Sequence, residues 1–314
     1  MFLCISWGSI MLKIYKSLLC ITCVFCLIGC THNSTDTQKT NPIEEKNNDL
    51  EDDNLKLDFS TTSDDFFNVA FCKDDSGNIY FPYGEKIYKT NSNEDFLEVF
   101  FDQEGMVYKS IKYYNNHIYF SYVNPPYGPG IAKINMTGTD FIKFETPNYF
   151  PSCLYLMNNK IYADVEINLD RAIDEDSDEG VISFDIDNQN GDLSNFQSYK
   201  SKSLRFRKSE YIKNKYPDLS YENELLMKGS IANCDKNNNI YFINQGNIND
   251  IFRLNLKTNQ KGYFSVNDHL STVRPHLDIV DDKVYTVSYY GAVSFDMEFE
   301  NMKYIIKDDF FNKE

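Results

Sequence analysis

The stretch Asp74–Asn91, DDSGNIYFPYGEKIYKTN, reads as strand, tight turn, strand. Branched and aromatic residues favour strands. Asp, Ser, Gly, Asn and Lys punctuate them as turn residues do. Close relatives of its central part recur as NNHIYFSY from Asn115, NNKIYADV from Asn158, NNNIYFIN from Asn237 and DDKVYTVS from Asp281. Aligned on Ile79, Ile118, Ile161, Ile240 and Val284, each followed by Tyr, the copies are 39, 43, 79 and 44 residues apart. A period near forty with one doubled gap is the signature of a repeat architecture.

Every copy shares one grammar. An alternating strand, such as VAFCKDD or SIANCDK, leads through a turn into the Ile-Tyr strand. A Gly-containing turn and a third strand follow, such as GIAKINM or GAVSFDM, and then a more variable fourth. Four short strands per forty residues make an all-β fold, a β-propeller of four-stranded antiparallel blades. About 240 residues at forty each predict six blades, five of them readable. The remaining segment, 200–229, carries no Ile-Tyr turn. It holds either a degenerate sixth blade or a partly helical insertion in a five-bladed ring.

These motifs resemble six-bladed propellers of the low-density-lipoprotein-receptor (YWTD-like) type, such as the propeller domains of Gram-positive surface lipoproteins. The receptor motif's Trp is absent, and its closing aspartate survives only in IYAD, at Asp164. The resemblance therefore implies the fold and carries over no ligand residues.

Residues 1–30 read as a lipoprotein signal peptide. Lys13 and Lys16 precede an apolar run that is too short to span a bilayer. It ends in Leu27-Ile28-Gly29-Cys30, which resembles the bacterial lipobox, so Cys30 is the expected lipidation site and Met11 the expected start. Two acyl chains on one cysteine anchor stably where one does not. Residues 31–64 are polar and acidic and read as a disordered tether; Leu55–Ser60 alternates and could close the ring as an outer strand. Residues 65–314 form the propeller domain. The expected location is the outer face of the bacterial cytoplasmic membrane, with the domain projecting outward.

The net charge of −16 excludes nucleic acid as a partner, since phosphate binding needs a basic face. Five of the eight cysteines lie in the first thirty residues, and the rest, Cys72, Cys153 and Cys234, are too sparse for a disulfide scaffold. Those three fall near one repeat position on the innermost strand, where Ile111 and Leu277 stand in other copies, and so read as small apolar residues. The sequence carries no HExxH, GxSxG or phosphate-binding Gly loop. DEDSDEG places Asp174, Asp176 and Asp178 like the start of a calcium loop, but its Gly comes one place late, and a solvated acidic loop is the plainer reading. No cofactor is expected. Lys200, Lys202, Arg205, Arg207, Lys208, Lys213 and Lys215 form the only basic cluster, read as an exposed insertion. His269 and His276 read as polar loop residues.

The expected function is a monomeric, membrane-anchored binding module for a protein or glycan, with a secreted lactonase or polysaccharide-lyase type enzyme as the alternative. Tyr83, Tyr127 and Tyr290 each precede a glycine in the turn between second and third strands. With Asn124, Asp164 and Asn244 they form the candidate ligand-binding rim, since Tyr offers both a ring for stacking and a hydrogen-bonding tip.

Overall fold

A computed structural model of the chain describes residues 51–52, 55–59, 68–124, 128–146, 148–167, 178–215, 233–234, 237, 239–243, 250–265, 276–288 and 291–307. They form five four-stranded antiparallel meanders, numbered here as sheets 1 to 5. Sheet 1 contains β2 (Cys72–Lys73), β3 (Asn78–Tyr83), β4 (Lys86–Asn91) and β5 (Glu98–Asp102). Sheet 2 contains β6 (Val107–Tyr114), β7 (His117–Asn124), β8 (Gly128–Asn135) and β9 (Ile142–Glu145). Sheet 3 is β10 (Tyr149–Met157), β11 (Lys160–Ile167), β12 (Asp178–Ile186) and β13 (Leu193–Lys200). Sheet 4 is β14 (Asn233–Cys234), β15 (Asn239–Ile243), β16 (Asp250–Asn255) and β17 (Lys261–Ser265). Sheet 5 is β18 (His276–Val280), β19 (Lys283–Ser288), β20 (Gly291–Asp296) and β21 (Lys303–Lys307). The fold is a β-propeller of four-stranded blades.

Local chemistry makes each blade. The turns Asn115-Asn116, Asn158-Asn159 and Asp281-Asp282 each place two consecutive residues at positive φ, 47° and 60°, 52° and 59°, and 50° and 59°. Asn and Asp tolerate that region best after Gly, and two such residues give the hairpin turn whose twist matches the strands. In sheet 1 the longer first turn is organised by Asp74, which accepts from Ser76 N (2.9 Å), Asn78 N (2.8 Å) and Asn78 Nδ2 (2.7 Å). At the other hairpin on the same side, Asn135, Asp187, Asn255 and Asp296 each accept backbone N–H groups two to four residues on, at 2.6 to 3.2 Å. Such side-chain bonds mimic a backbone turn.

Three of the recurring tyrosines join blade to blade, while Tyr80 donates to Asp74 in its own sheet (3.0 Å). Tyr119 donates to Gly191 O of sheet 3 (2.7 Å), Tyr241 to Met297 Sδ of sheet 5 (3.8 Å) and Tyr285 to Glu94 Oε1 of sheet 1 (2.9 Å). Each ring is buried between sheets, and its hydroxyl reaches the last hairpin of the next one. A basic residue beside it on the third strand repeats the reach: Lys133 donates to Asn190 O (2.5 Å), and Arg253 to Met297 O. The link from Tyr285 to Glu94 makes the last blade follow into the first, which closes a ring rather than extending a stack. The innermost strands close as well. Asp278 accepts from Val69 N (2.9 Å), Ala70 N (2.6 Å) and Phe71 N (2.7 Å), and Asn68 exchanges two bonds with Ile279.

Three sequence-based expectations change. Among the described residues there are five sheets, and segment 200–229 contributes helix α1 (Leu204–Lys215). The five-bladed ring with a helical insertion therefore fits, and the six-bladed one finds no sixth sheet among these residues. Second, the folded body begins within the segment read as tether. Glu51–Asp52 (β1) pairs in parallel with Tyr199 and Lys200 on the outer edge of sheet 3, while Leu55 and Phe59 are buried. Leu55–Ser60 was the expected outer strand, but its apolar side chains pack on α1 and sheet 3 while the two residues upstream make the ladder. Third, the basic cluster is only partly exposed: Lys200, Lys202 and Lys215 are exposed, but the helix packs part of the cluster inward. Leu204, Lys208, Ser209 and Ile212 of α1 are buried, Lys208 lies over the rings of Phe59 and Tyr211, and Arg207 donates to Leu55 O (2.7 Å).

Candidate functional site

Register on the innermost strands decides which residue stands opposite each repeat Tyr. The residues opposite the repeat Tyr are Cys72, Lys112, Tyr155, Asn233 and Asp278. The three body cysteines do not share that place. Cys72 pairs with Tyr80, Cys234 pairs with Ile240, and Cys153 lies in a bulge between Pro151 and Leu154. Counting back from Ile-Tyr misses this because Cys72 lies eight residues before Tyr80 and Lys112 only seven before Tyr119, the first turn of sheet 1 being longer.

A polar constellation results. Asp164, on β11, accepts from Tyr155 OH (2.6 Å) and from the backbone N of Leu204 at the start of α1 (2.7 Å). Arg205, next in the helix, is largely buried, and its Nε has no hydrogen-bond partner. Burial opposes the Arg205 charge, but Cys153, Tyr155, Asp164 and Asp278 around it hold the guanidinium above its ordinary pKa. Burial and then the Arg205 charge push His276 down to about 3. Burial pushes Asp164 up to about 6, against its hydrogen bonds and Arg205. Burial likewise raises Asp278, opposed by its backbone donors and by Lys112. Both acids thus serve the fold, one as a helix cap and one as the ring's clasp.

These directions fix a pH dependence. His276 binds its proton more weakly folded than unfolded, so its contribution is present above about 6.5 and lost as pH falls. Asp164 has the opposite sign: its raised folded pKa favours the fold at low pH and is lost as pH rises through about 6. The two slopes oppose each other between roughly pH 4 and 6. Replacing His276 by Gln should unmask the Asp164 term. Relative to wild type, His276→Gln should gain about 2 kcal/mol between pH 6.5 and 5, at about 1.4 kcal/mol per unit. Urea unfolding at the two pH values checks it, and parallel curves would reject a neutral buried His276.

The end of the ring bearing the first turns opens into a cavity of about 230 Å³. Asn68, Phe71, Lys73, Lys112, Val280 and Asp281 line it, with Cys72, Tyr113 and Leu156. Lys112 donates to Asn68 O, and Lys73 pairs with Asp281. Beside it runs a shallow groove of about 610 Å³ walled by Asp75, Tyr113, Tyr114, Asn115, Asn159 and Asn188. Its walls are tied together: Tyr113 donates to Asp75 (2.7 Å), Tyr114 to Asn159 (2.6 Å) and Asn115 to Asn188 O (2.6 Å). Tyr113 belongs to both.

This is the end opposite the turns between second and third strands, where the ligand rim was expected. Of that rim, Tyr83 is half-buried and packs on Tyr88, with ring centroids 6.3 Å apart. Asn124 and Asp164 are buried. Both stand on second strands, β7 and β11, and Asp164 meets the start of α1. Tyr127, Asn244 and Tyr290 lie outside the described residues, as do Cys30, Asp174 and Asp176, and nothing is described of the Asp178 side chain. Among the described residues no three His, Cys, Asp or Glu side chains are grouped as a metal site. Sequence reading missed Lys112 and Asp278, and it placed Arg205 and His276 in exposed or loop settings rather than here. For the first two a signal existed: a charged residue seven before the repeat Tyr, inside an otherwise apolar inner strand.

No family model matches the chain, and no curated protein does. Solved structures are similar to it at low identity. A luciferin-regenerating enzyme has 9% identity, 78% of this chain and 77% of that one being covered, with a TM-score of 0.33. A chain of the mitotic checkpoint complex has 9% identity, 80% and 83% coverage and a TM-score of 0.36. A TolB-designated protein of Agrobacterium tumefaciens has 11% identity, 76% and 80% coverage and a TM-score of 0.33. At these values the likenesses say nothing of what the chain does, and the propeller rests on its own sheets and ring contacts.

Proposed function

We propose that the chain is a lipid-anchored, extracellular binding module. Cys30 carries the acyl chains at the outer face of the bacterial cytoplasmic membrane, and the monomeric propeller projects outward to take a protein or a glycan. The observation that carries this reading is the polar cavity and its adjoining groove at one mouth of the ring. Concave sites with converging polar groups are the default binding places of a rigid scaffold. Kinship with YWTD-like lipoprotein propellers is the family reading of the blades. The rival, a lactonase or polysaccharide-lyase type enzyme, needs an inner-strand acid free to hold a metal or act as base. Among the described inner strands the acid is Asp278, and it is instead engaged by three backbone donors.

Two experiments test the module. Cys30→Ala should move the protein from the membrane fraction to the medium or to an uncleaved precursor, with loss of incorporated lipid label. Unchanged fractionation and an unlabelled wild type would reject the anchor. The detergent-solubilised full chain should then be presented to arrays of purified glycans and surface proteins. Failure to retain any of them would remove the binding reading.

A further inference from the structure

The first-turn mouth combines features that select a ligand chemistry. Lys112 is buried and points its ammonium at Asn68 O, on the cavity wall. Lys73 stands at the rim, its side chain 35% exposed, and its partner among the described residues is Asp281. An ammonium has three donors, so Lys73 keeps N–H groups to offer. Asp281 beside Lys73 and Asp278 near Lys112 offset the two cations. Within the cavity the two cations are thus offset, and Asp75 adds a further carboxylate on the groove wall, where it accepts from Tyr113. Phe71, Val280 and Leu156 give the cavity an apolar wall. At about 230 Å³ it is smaller than the roughly 300–1,000 Å³ of sites that enclose drug-sized ligands. The groove supplies what the cavity lacks in length: two tyrosine rings with amide groups between them.

We infer that this mouth binds an acidic carbohydrate, with one sugar-acid residue in the cavity, its carboxylate on Lys73 and Lys112, and the following sugars along the groove. This deepens the binding-module reading and rests on it. Each part has a physical counterpart. A carboxylate gains charge-assisted hydrogen bonds from ammonium donors. The apolar face of a sugar ring fits against Phe71 and Tyr113, and Tyr is suited to such contact because its body is apolar and its tip polar. Asn115, Asn159 and Asn188 match the alternating donors and acceptors of sugar hydroxyls. A doubly charged phosphate fits less well: no arginine among the described residues lines either feature, and bidentate recognition of phosphate is arginine's role.

The test uses the detergent-solubilised full chain and calorimetric titration with galacturonate, galactose, trigalacturonate and inorganic phosphate. Galacturonate should bind about tenfold or more tightly than galactose, from which it differs only in the carboxylate, and trigalacturonate more tightly still. Lys112→Met is ambiguous because its ammonium also holds the Asn68 carbonyl. Lys73→Gln at the rim should leave the melting temperature within a few degrees and bring galacturonate down to the galactose level. Equal affinity for the two monosaccharides, tighter binding of phosphate, or an unaffected Lys73→Gln would overturn the inference. If the arrays yield a neutral glycan or a protein while galacturonate gives no heat, the inference falls and the module stands. If nothing binds in either experiment, both fall.

Discussion

Asp278→Ala should cost about 3–5 kcal/mol of folding stability, the largest loss expected of any single substitution in the ring. Asp278 is fully buried, and its two oxygens accept from three successive backbone amides, Val69, Ala70 and Phe71. Those residues lie more than two hundred positions away and lead into the first strand of sheet 1. Alanine would leave three donors without partners in a place water cannot reach, and each unmade bond costs more than a made bond gains. It would also leave the Lys112 ammonium without its nearest counter-charge. Asp278→Asn keeps one acceptor oxygen and should lose less. Urea unfolding monitored by near-ultraviolet circular dichroism measures both. A loss under about 1 kcal/mol for the alanine variant would mean that sheet 5 does not clasp sheet 1 through this carboxylate.

Glu94 should prove the second support of the same closure, at the outer end of the sheets. Its side chain is only 2% exposed and receives Lys283 Nζ (2.8 Å) and Tyr285 OH (2.9 Å), with Lys303 Nζ at 3.7 Å. Glu94→Ala should cost about 2–4 kcal/mol, because it leaves a buried phenol without its acceptor and two lysines without their counter-charge, though the lysines keep the carbonyls of residues 92 to 94. Backbone strain must be separated from this, since Glu94 has a φ of 52°. Glu94→Gly removes the carboxylate but relieves the left-handed conformation by about 1 kcal/mol, and so should fall between alanine and wild type. If the glycine variant is as stable as wild type, the carboxylate holds nothing. Tyr285→Phe alone should cost about 1 kcal/mol, and it should cost almost nothing in the Glu94→Ala background. Asp278→Ala combined with Glu94→Ala should be less than additive, since both open one interface.

The blade was legible in the sequence because its determinants are local. Two Asn or Asp residues before Lys-Ile-Tyr set a turn with paired positive φ, and alternation sets which side chains go inward. The Asn or Asp that ends each third strand fixes the last hairpin through bonds to its own backbone. Period and strand grammar then gave the propeller, while the blade count did not follow from the period: the segment that broke it contributes helix α1 among the described residues. The site was less legible. Lys112, Tyr155 and Asp278 share one register position, yet turn length differs between blades, so counting along the chain does not align them. The basic cluster read as solvated because charge density was its only local signal; what turned Arg205 and Lys208 inward was Asp164 capping the helix and Phe59 arriving from the segment before the first blade. That segment itself is polar and acidic, and its two-residue strand forms only because the edge of β13 offers unpaired backbone groups. Which sheet follows the last one was decided by Asp278 and Glu94 across two hundred residues. Sequence by itself determined the repeating unit, since turns and alternation act within a few residues. Only the tertiary structure decided the ring, its helical insertion and its polar mouth, since those depend on groups that meet through packing rather than through the chain.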